Sequence, residues 1–169
     1  MKNKLINEFQ LYLDKNFNVE EYLQDSVAFK SAQFPELFYN VKPVISFKQL
    51  LENKQKEMKL TNKQLSKITG LSDNDINRLK NEKDSLTTTE KDVVYPIFLA
   101  LKCSYSEIKS FANALRFVIK PYSNIYDAIV DFIVNKKGYE LDSKENVDDY
   151  KLCKEYAMDY VIKQSERML

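Results

Sequence analysis

The chain has 169 residues, of which 44% are hydrophobic and 30% charged, and its formal net charge is +1. These values are ordinary for a soluble globular protein and are not those of a strongly basic nucleic-acid binder. Histidine is absent, which removes the commonest general base and the commonest metal ligand.

Further sequence features argue against catalysis and against a membrane. The chain contains no Gly-rich phosphate loop, no Cys-x-x-Cys pair and no nucleophile elbow, so we expect no enzymatic activity, cofactor or metal. Cys103 and Cys153 are predicted to be buried thiols rather than a disulfide. No apolar run approaches the ~18 residues of a membrane helix, and the N-terminus lacks the apolar centre of a signal peptide. We therefore expect a cytoplasmic protein.

The chain has only two glycines and four prolines, which favours helices over tight β-turns. Apolar residues at helical spacing predict helices over approximately 3–17, 20–31, 47–58, 62–69, 73–81, 88–102, 105–117, 124–136 and 146–168. The segment Phe34–Tyr39 is aromatic and is predicted to pack on the next domain or on a second copy. Glu82–Leu86 is predicted to be a polar loop, and Tyr139–Glu145 a polar loop or one short strand.

Several residues are predicted to begin or end these helices. Ser46 is expected to cap the third helix, and either Ser104 or Ser106 the seventh. Pro96 lies within the sixth predicted helix and is expected to bend it or to lie near its start. Lys137 and Gly138 resemble a helix C-cap, so the eighth helix is expected to end there.

The segment Thr61–Asn81 meets the requirements of two short helices that cross at a steep angle. Thr61 and Ser72 can cap the two helices, and Gly70 can adopt the positive φ of a tight turn between them. Leu65, Ser66 and Leu71 supply apolar or small side chains where the helices approach. Ile76 and Leu79 are three residues apart, which places both on the inner face of the second helix. The pattern predicts a helix-turn-helix.

This motif resembles the Cro/C1-type, or Xre-like, family of helix-turn-helix regulators over about residues 46–111. The resemblance implies an all-α fold with a lambda-repressor-like five-helix DNA-binding core. We place that domain at residues 44–118, preceded by an N-terminal helical arm at 1–43. Residues 119–169 are predicted to form a C-terminal helical extension for dimerisation or partner binding.

In that family the second motif helix enters the major groove of DNA, so the resemblance implies a sequence-specific transcriptional regulator. We expect a repressor that regulates its own promoter and acts as a homodimer on double-stranded DNA. Gly70 is carried over as the structural turn residue. The implied DNA-binding residues are Asn62, Lys63, Gln64, Ser72, Asp73, Asn74, Asn77, Arg78, Lys80 and Lys83.

Two features keep an alternative function open. Asp73 and Asp75 place two carboxylates on the recognition helix. Asp75 would lie near the DNA backbone and repel phosphates unless cations neutralise it, whereas Asp73 could accept from a cytosine amino group. Residues 44–112 carry 12 basic and 9 acidic groups, a small excess, and the segments on either side are each net −1. The alternative is a phage or mobile-element effector that binds a protein partner on a helix-turn-helix scaffold. An anti-CRISPR-like inhibitor and an antitoxin are the two forms considered, with the N- or C-terminal extension contacting the partner.

The last predicted helix has apolar residues every three or four positions, which makes a long stripe. The stripe is a candidate dimer surface, and packing against Ile125–Ile133 within the same chain is the equal alternative. Its members are Tyr150, Cys153, Tyr156, Ala157, Tyr160 and Val161.

Overall fold

The computed structural model describes residues 2–31, 45–81 and 88–168. Within these ranges the chain forms nine α-helices and no strands, so the predicted all-α class is confirmed. The helices are α1 Lys2–Asn16, α2 Val19–Ser31, α3 Phe47–Met58, α4 Asn62–Thr69, α5 Asp73–Asn81, α6 Thr88–Ala100, α7 Tyr105–Ala114, α8 Ile125–Val134 and α9 Ser143–Arg167. The predicted loop Glu82–Leu86 and the aromatic segment Phe34–Tyr39 lie outside the described residues.

Polar side chains begin most of these helices, as the sequence predicts. The Ser46 side chain accepts the N–H of Gln49 at the start of α3. Ser104, rather than Ser106, caps α7 through a capping box with Glu107. In a capping box the two side chains each satisfy one of the free backbone N–H groups at the helix start. Sequence-local chemistry therefore determines where these helices begin.

The boundaries near the C-terminal end differ from the prediction. Helix α8 ends at Val134, and Gly138 lies in the following turn with φ +88° rather than at the helix C-cap. Helix α9 is capped by Asp142 and starts at Ser143, three residues earlier than expected. The segment from Tyr139 is an exposed turn over residues 140–142, as one of the two alternatives predicted, and it is not a strand. Tyr139 is buried and donates its hydroxyl to the Cys103 carbonyl at 2.7 Å, which ties the turn to the core.

Helix α6 is the centre of the fold. Every residue from Val94 to Leu101 except Pro96 has at most 1% of its surface exposed, and Pro96 is also buried. The helix continues through Pro96 to Ala100. Helices α4, α8 and α9 all pack on α6, which explains why it is apolar on every side rather than amphipathic. One continuous hydrophobic core extends from Leu5 in α1 to Tyr160 in α9.

The candidate dimer surface on α9 is a wrong prediction, because most of it is buried within the chain. Tyr150, Cys153 and Ala157 are at most 1% exposed, and Tyr160 is 8% exposed. Tyr156 and Val161 are partly buried against the same core. The stripe packs on α6, α8 and the N-terminal helices, so the intramolecular alternative describes the structure and the buried side chains are not available to a second copy.

Tyrosine hydroxyls join four pairs of helices through carboxylates. Tyr12 of α1 donates to Asp131 of α8 at 2.5 Å, and Tyr160 of α9 donates to Asp14 of α1 at 2.8 Å. The other two pairs are Tyr150 with Asp92 at 2.8 Å and Tyr95 with Asp127. The hydroxyl of a buried tyrosine needs a partner, and here an aspartate on another helix supplies it.

Raising the pH above about 10 is expected to lower the free energy of unfolding. Burial, assisted by nearby aspartates, raises the pKa of Tyr12, Tyr95 and Tyr150 above the ordinary tyrosine value. A group whose pKa is raised in the folded state stabilises it fully below the unfolded pKa of about 10, and that stability is lost as the pH rises further. Urea unfolding at about pH 8 and about pH 10.5, with tyrosinate absorbance as a second signal, checks this.

Tyr150→Phe is the matched variant, with Tyr122→Phe as its control because Tyr122 is exposed. Without the hydroxyl of residue 150, the decline in stability between the two pH values should become shallower. Tyr122→Phe should decline as the parent protein does. An unchanged decline in Tyr150→Phe would contradict the assignment of alkaline sensitivity to this residue.

Candidate nucleic-acid interface

The segment predicted as a helix-turn-helix forms α4, a tight turn and α5. Gly70 has φ +83°, and its N–H donates to the Ser66 carbonyl at 2.9 Å, which ends α4. A residue with a side chain would be strained at this φ. The Ser66 hydroxyl donates to the Leu71 carbonyl across the turn. Ser72 then caps α5 by accepting the N–H of Asp75 at 3.1 Å.

Both helices direct their apolar residues inward. Leu65 of α4 and Ile76 of α5 are fully buried, and Leu79 is 2% exposed. Thr61 and Gln64 form a capping box at the start of α4. The caps, the turn and these buried residues agree with the sequence prediction for the segment.

The outward face of α5 carries the residues predicted to contact DNA bases. Ser72, Asp73, Asn74, Asn77 and Arg78 are all exposed. Since Ile76 and Leu79 anchor the opposite face, the exposed residues are held on a helix that cannot rotate freely. Amide and guanidinium groups in such positions have the donors and acceptors that can pair with base edges in the major groove.

Asn62 is the centre of a polar network that the sequence did not indicate. Its Oδ1 accepts from Gln55 Nε2 at 2.9 Å and from Lys80 Nζ at 2.8 Å, and its Nδ2 donates to Asn77 Oδ1 at 2.9 Å. The network therefore joins α3, α4 and α5. Burial lowers the pKa of Lys80, which is only partly exposed. Asn62, Asn77 and Lys80 thus also fix the relative positions of the motif helices.

The remaining predicted contact residues are not part of the polar network around Asn62. Lys63 is exposed near the start of α4. Gln64 is exposed, but its Oε1 accepts the Thr61 N–H at 2.8 Å and so serves the helix cap. Lys83 lies outside the described residues.

The two motif aspartates lie in the first turn of α5, with Asp73 exposed and Asp75 partly buried. Carboxylates there interact favourably with the positive end of the helix dipole. Within the described residues neither forms an ion pair with a lysine or arginine. The negative charge on this edge of α5 is therefore not neutralised within that part of the chain.

A lysine from outside the motif also reaches the turn. Lys151 of α9 donates its Nζ to the Thr69 carbonyl at 3.3 Å, and α9 packs directly on α4. Motif spacing carries no information about Lys151, because it lies 82 positions from Thr69 along the chain. Gln55 is only seven positions from Asn62, but it belongs to α3, outside the motif.

The described part of the chain contains no group of three or more cysteine, aspartate or glutamate side chains placed to hold a metal ion. None of the helices described is both long enough and apolar enough to cross a bilayer. Comparisons of the chain with protein-family models, with curated proteins and with solved structures find no match.

Proposed function

We propose that this protein is a sequence-specific DNA-binding transcriptional regulator, a repressor acting in the cytoplasm on its own promoter. Helices α3–α7 are its lambda-repressor-like core, and α5 enters the major groove. The observation that carries the proposal is the geometry of α4 and α5. A capped helix, a glycine turn and a second capped helix present Asn74, Asn77 and Arg78 on one exposed face.

The chemistry of that face fits base recognition. Arginine can bond the O6 and N7 of guanine in a bidentate manner, and asparagine can bond the N6 and N7 of adenine. Lys63 adds an exposed cation near the start of α4, where a phosphate contact would set the register of the protein on the duplex. The bond between Asn62 and Asn77 orients both amides before DNA binds.

The five proposed core helices are also joined to one another. Helix α3 packs on α5 and α7, and buried Lys54 of α3 forms an ion pair with Glu107 of α7 at 2.7 Å. The rings of Phe47 and Phe111 meet edge to face with centroids 5.8 Å apart. This framework would hold α5 rigidly against DNA, as base readout requires.

The proposal includes a homodimer, because one short helix reads only a few base pairs and a palindromic site doubles the contacts. The buried stripe of α9 is excluded as the dimer contact. The partner copy would therefore use a different surface. Equilibrium sedimentation of the DNA complex tests the dimer itself, with an expected stoichiometry of two chains per site.

Replacing Arg78 by alanine is expected to weaken binding to the promoter by about 1–3 kcal/mol, because a bidentate base contact is lost. Fluorescence anisotropy on a duplex pool that contains the gene's own promoter measures this at low and moderate salt. Arg167→Ala is the matched control, since Arg167 is exposed near the end of α9 and the change in charge is the same.

Salt-sensitive binding that prefers the promoter and is weakened only by Arg78→Ala would support the proposal. Absence of DNA binding, or binding indifferent to sequence and to Arg78, would contradict it.

A second candidate function is favoured by the two aspartates of α5. Asp75 would oppose a DNA backbone, whereas both carboxylates would suit a basic surface on a protein partner. The partner-binding effector, of the anti-CRISPR-like or antitoxin kind, would then use the exposed face of α5 together with the N- or C-terminal extension. Asp75→Asn distinguishes the two functions, because this variant should bind DNA more tightly and a basic protein partner more weakly.

A further inference from the structure

Lys151 lies against the turn of the helix-turn-helix although it belongs to the C-terminal helix. Its Nζ is 3.3 Å from the Thr69 carbonyl oxygen at the end of α4. A Cβ placed on Gly70 would be 3.7 Å from the same Nζ. The ammonium group is therefore beside the two residues that lead from α4 into α5.

Within the part of the chain that the structure describes, no carboxylate neutralises the charge of Lys151. Within the described residues no carboxylate lies within ion-pair distance of it, and the Thr69 carbonyl is its one hydrogen-bond acceptor. Three other lysines of the C-terminal region are paired: Lys144 with Asp148 at 2.5 Å, Lys154 with Asp92 at 2.7 Å and Lys136 with Asp149 at 3.0 Å. An ammonium group has three N–H donors, so Lys151 keeps two donors for a further acceptor.

The backbone that carries Lys151 is held firmly at this position. Tyr150, the preceding residue, is 1% exposed and donates its hydroxyl to Asp92 of α6. Lys154, one turn further on, forms an ion pair with the same aspartate. Lys151 itself remains exposed. An exposed cation on a rigid element is what a preorganised contact requires.

We propose that Lys151 binds a DNA backbone phosphate, so that the C-terminal extension contributes a contact next to the motif. This inference rests on the proposed DNA-binding function. If the N-terminal part of α5 approaches the base edges, the turn before it lies beside the sugar-phosphate backbone that borders the groove. A cation at Thr69–Gly70 is then within reach of that backbone. Its two remaining N–H donors suit a phosphate, which offers charged oxygen acceptors.

The test measures promoter affinity against salt concentration, from roughly 50 to 200 mM, for the parent protein and for Lys151→Gln. Each phosphate contact contributes about 0.9 to the slope of log affinity against log salt. Lys151→Gln is expected to reduce the magnitude of that slope by about 0.9 and the affinity by about eightfold at 0.1 M salt. Preference for the promoter over an unrelated duplex should not change, because phosphates carry no sequence information.

Lys163→Gln is the matched control. Lys163 is exposed on the same helix, twelve residues further along and therefore about 18 Å away. It lines a groove with Gln10 and Tyr160 that includes no motif residue. The salt slope of Lys163→Gln should equal that of the parent protein. Lys151→Arg should also retain the parent slope, because it keeps the positive charge.

The outcomes separate the two proposals. If the parent protein binds the promoter and Arg78→Ala weakens it, but Lys151→Gln has the parent slope, only the phosphate contact is overturned. A lower melting temperature of Lys151→Gln with an unchanged slope would give the residue a structural role and also overturn the contact. If the parent protein does not bind DNA, both proposals fail together.

Discussion

Replacing Asp127 by alanine is expected to lower the free energy of unfolding by about 3–5 kcal/mol, the cost of breaking a buried ion pair by removing one partner. The Asp127 side chain is fully buried, and the Lys91 side chain is 6% exposed. Lys91 Nζ lies 2.9 Å from Asp127 Oδ2. Without the carboxylate, the only hydrogen-bond acceptor left to Lys91 within the described part of the chain would be the Val118 carbonyl, at 2.7 Å.

The same carboxylate satisfies two more donors, so its loss has several costs. The Lys120 backbone N–H donates to Oδ2 at 2.8 Å, and the hydroxyl of Tyr95 donates to Oδ1. Buried donors left without an acceptor are each destabilising by about 1–3 kcal/mol before any relaxation. Asp127 thus joins α6, the chain before α8, and α8 itself. Urea unfolding followed by circular dichroism measures the difference.

Asp148→Ala is the control for this experiment, because the pair of Asp148 with Lys144 is more than half exposed on both sides. Exposed pairs contribute about 0–1 kcal/mol. The double variant Asp127→Leu with Lys91→Met should lower the free energy of unfolding less than Asp127→Ala alone, since no charge remains buried. If Asp127→Ala lowers the free energy of unfolding no more than Asp148→Ala does, the pair of Asp127 with Lys91 does not hold these helices together.

A fragment of residues 44–118, the predicted DNA-binding domain, is expected not to fold cooperatively without the rest of the chain. Helix α6 would lose α8 and α9, which both pack on it. Val94, Ile97 and Leu101 belong to a run that is buried on every side of the helix. Part of that run would become exposed in the fragment, and a small domain has little stability to offset it.

Thermal unfolding and the dispersion of amide signals in a two-dimensional NMR spectrum check this expectation. A chain shortened only by residues 165–169 is the control, and its core should stay intact because these residues lie beyond Tyr160, the last buried residue of α9. Sharp, dispersed signals and a cooperative transition in the 44–118 fragment would show that the predicted domain is autonomous. If the fragment does not fold, as we expect, DNA-binding experiments require the full chain.

The segment Thr61–Asn81, predicted to be a helix-turn-helix, is the part of the structure that its own sequence determined. The caps Thr61 and Ser72, the positive φ at Gly70 and the burial of Leu65, Ile76 and Leu79 all follow from the sequence pattern. Capping and turn formation depend on groups only a few residues apart, so a sequence pattern contains most of what decides them. The roles of Asn74 and Arg78 in binding stay predictions.

Tertiary structure alone decided what the long α9 stripe contacts. The spacing of Tyr150, Cys153 and Ala157 indicates an apolar face, but that face suits a second copy as well as the same chain. Only the arrangement of α6 and α8 places it inside. Likewise Lys91 with Asp127, and Lys151 with Thr69, meet across 36 and 82 positions. Such contacts form because the whole chain buries its apolar surface at once, and no local pattern records which distant polar groups that burial brings together.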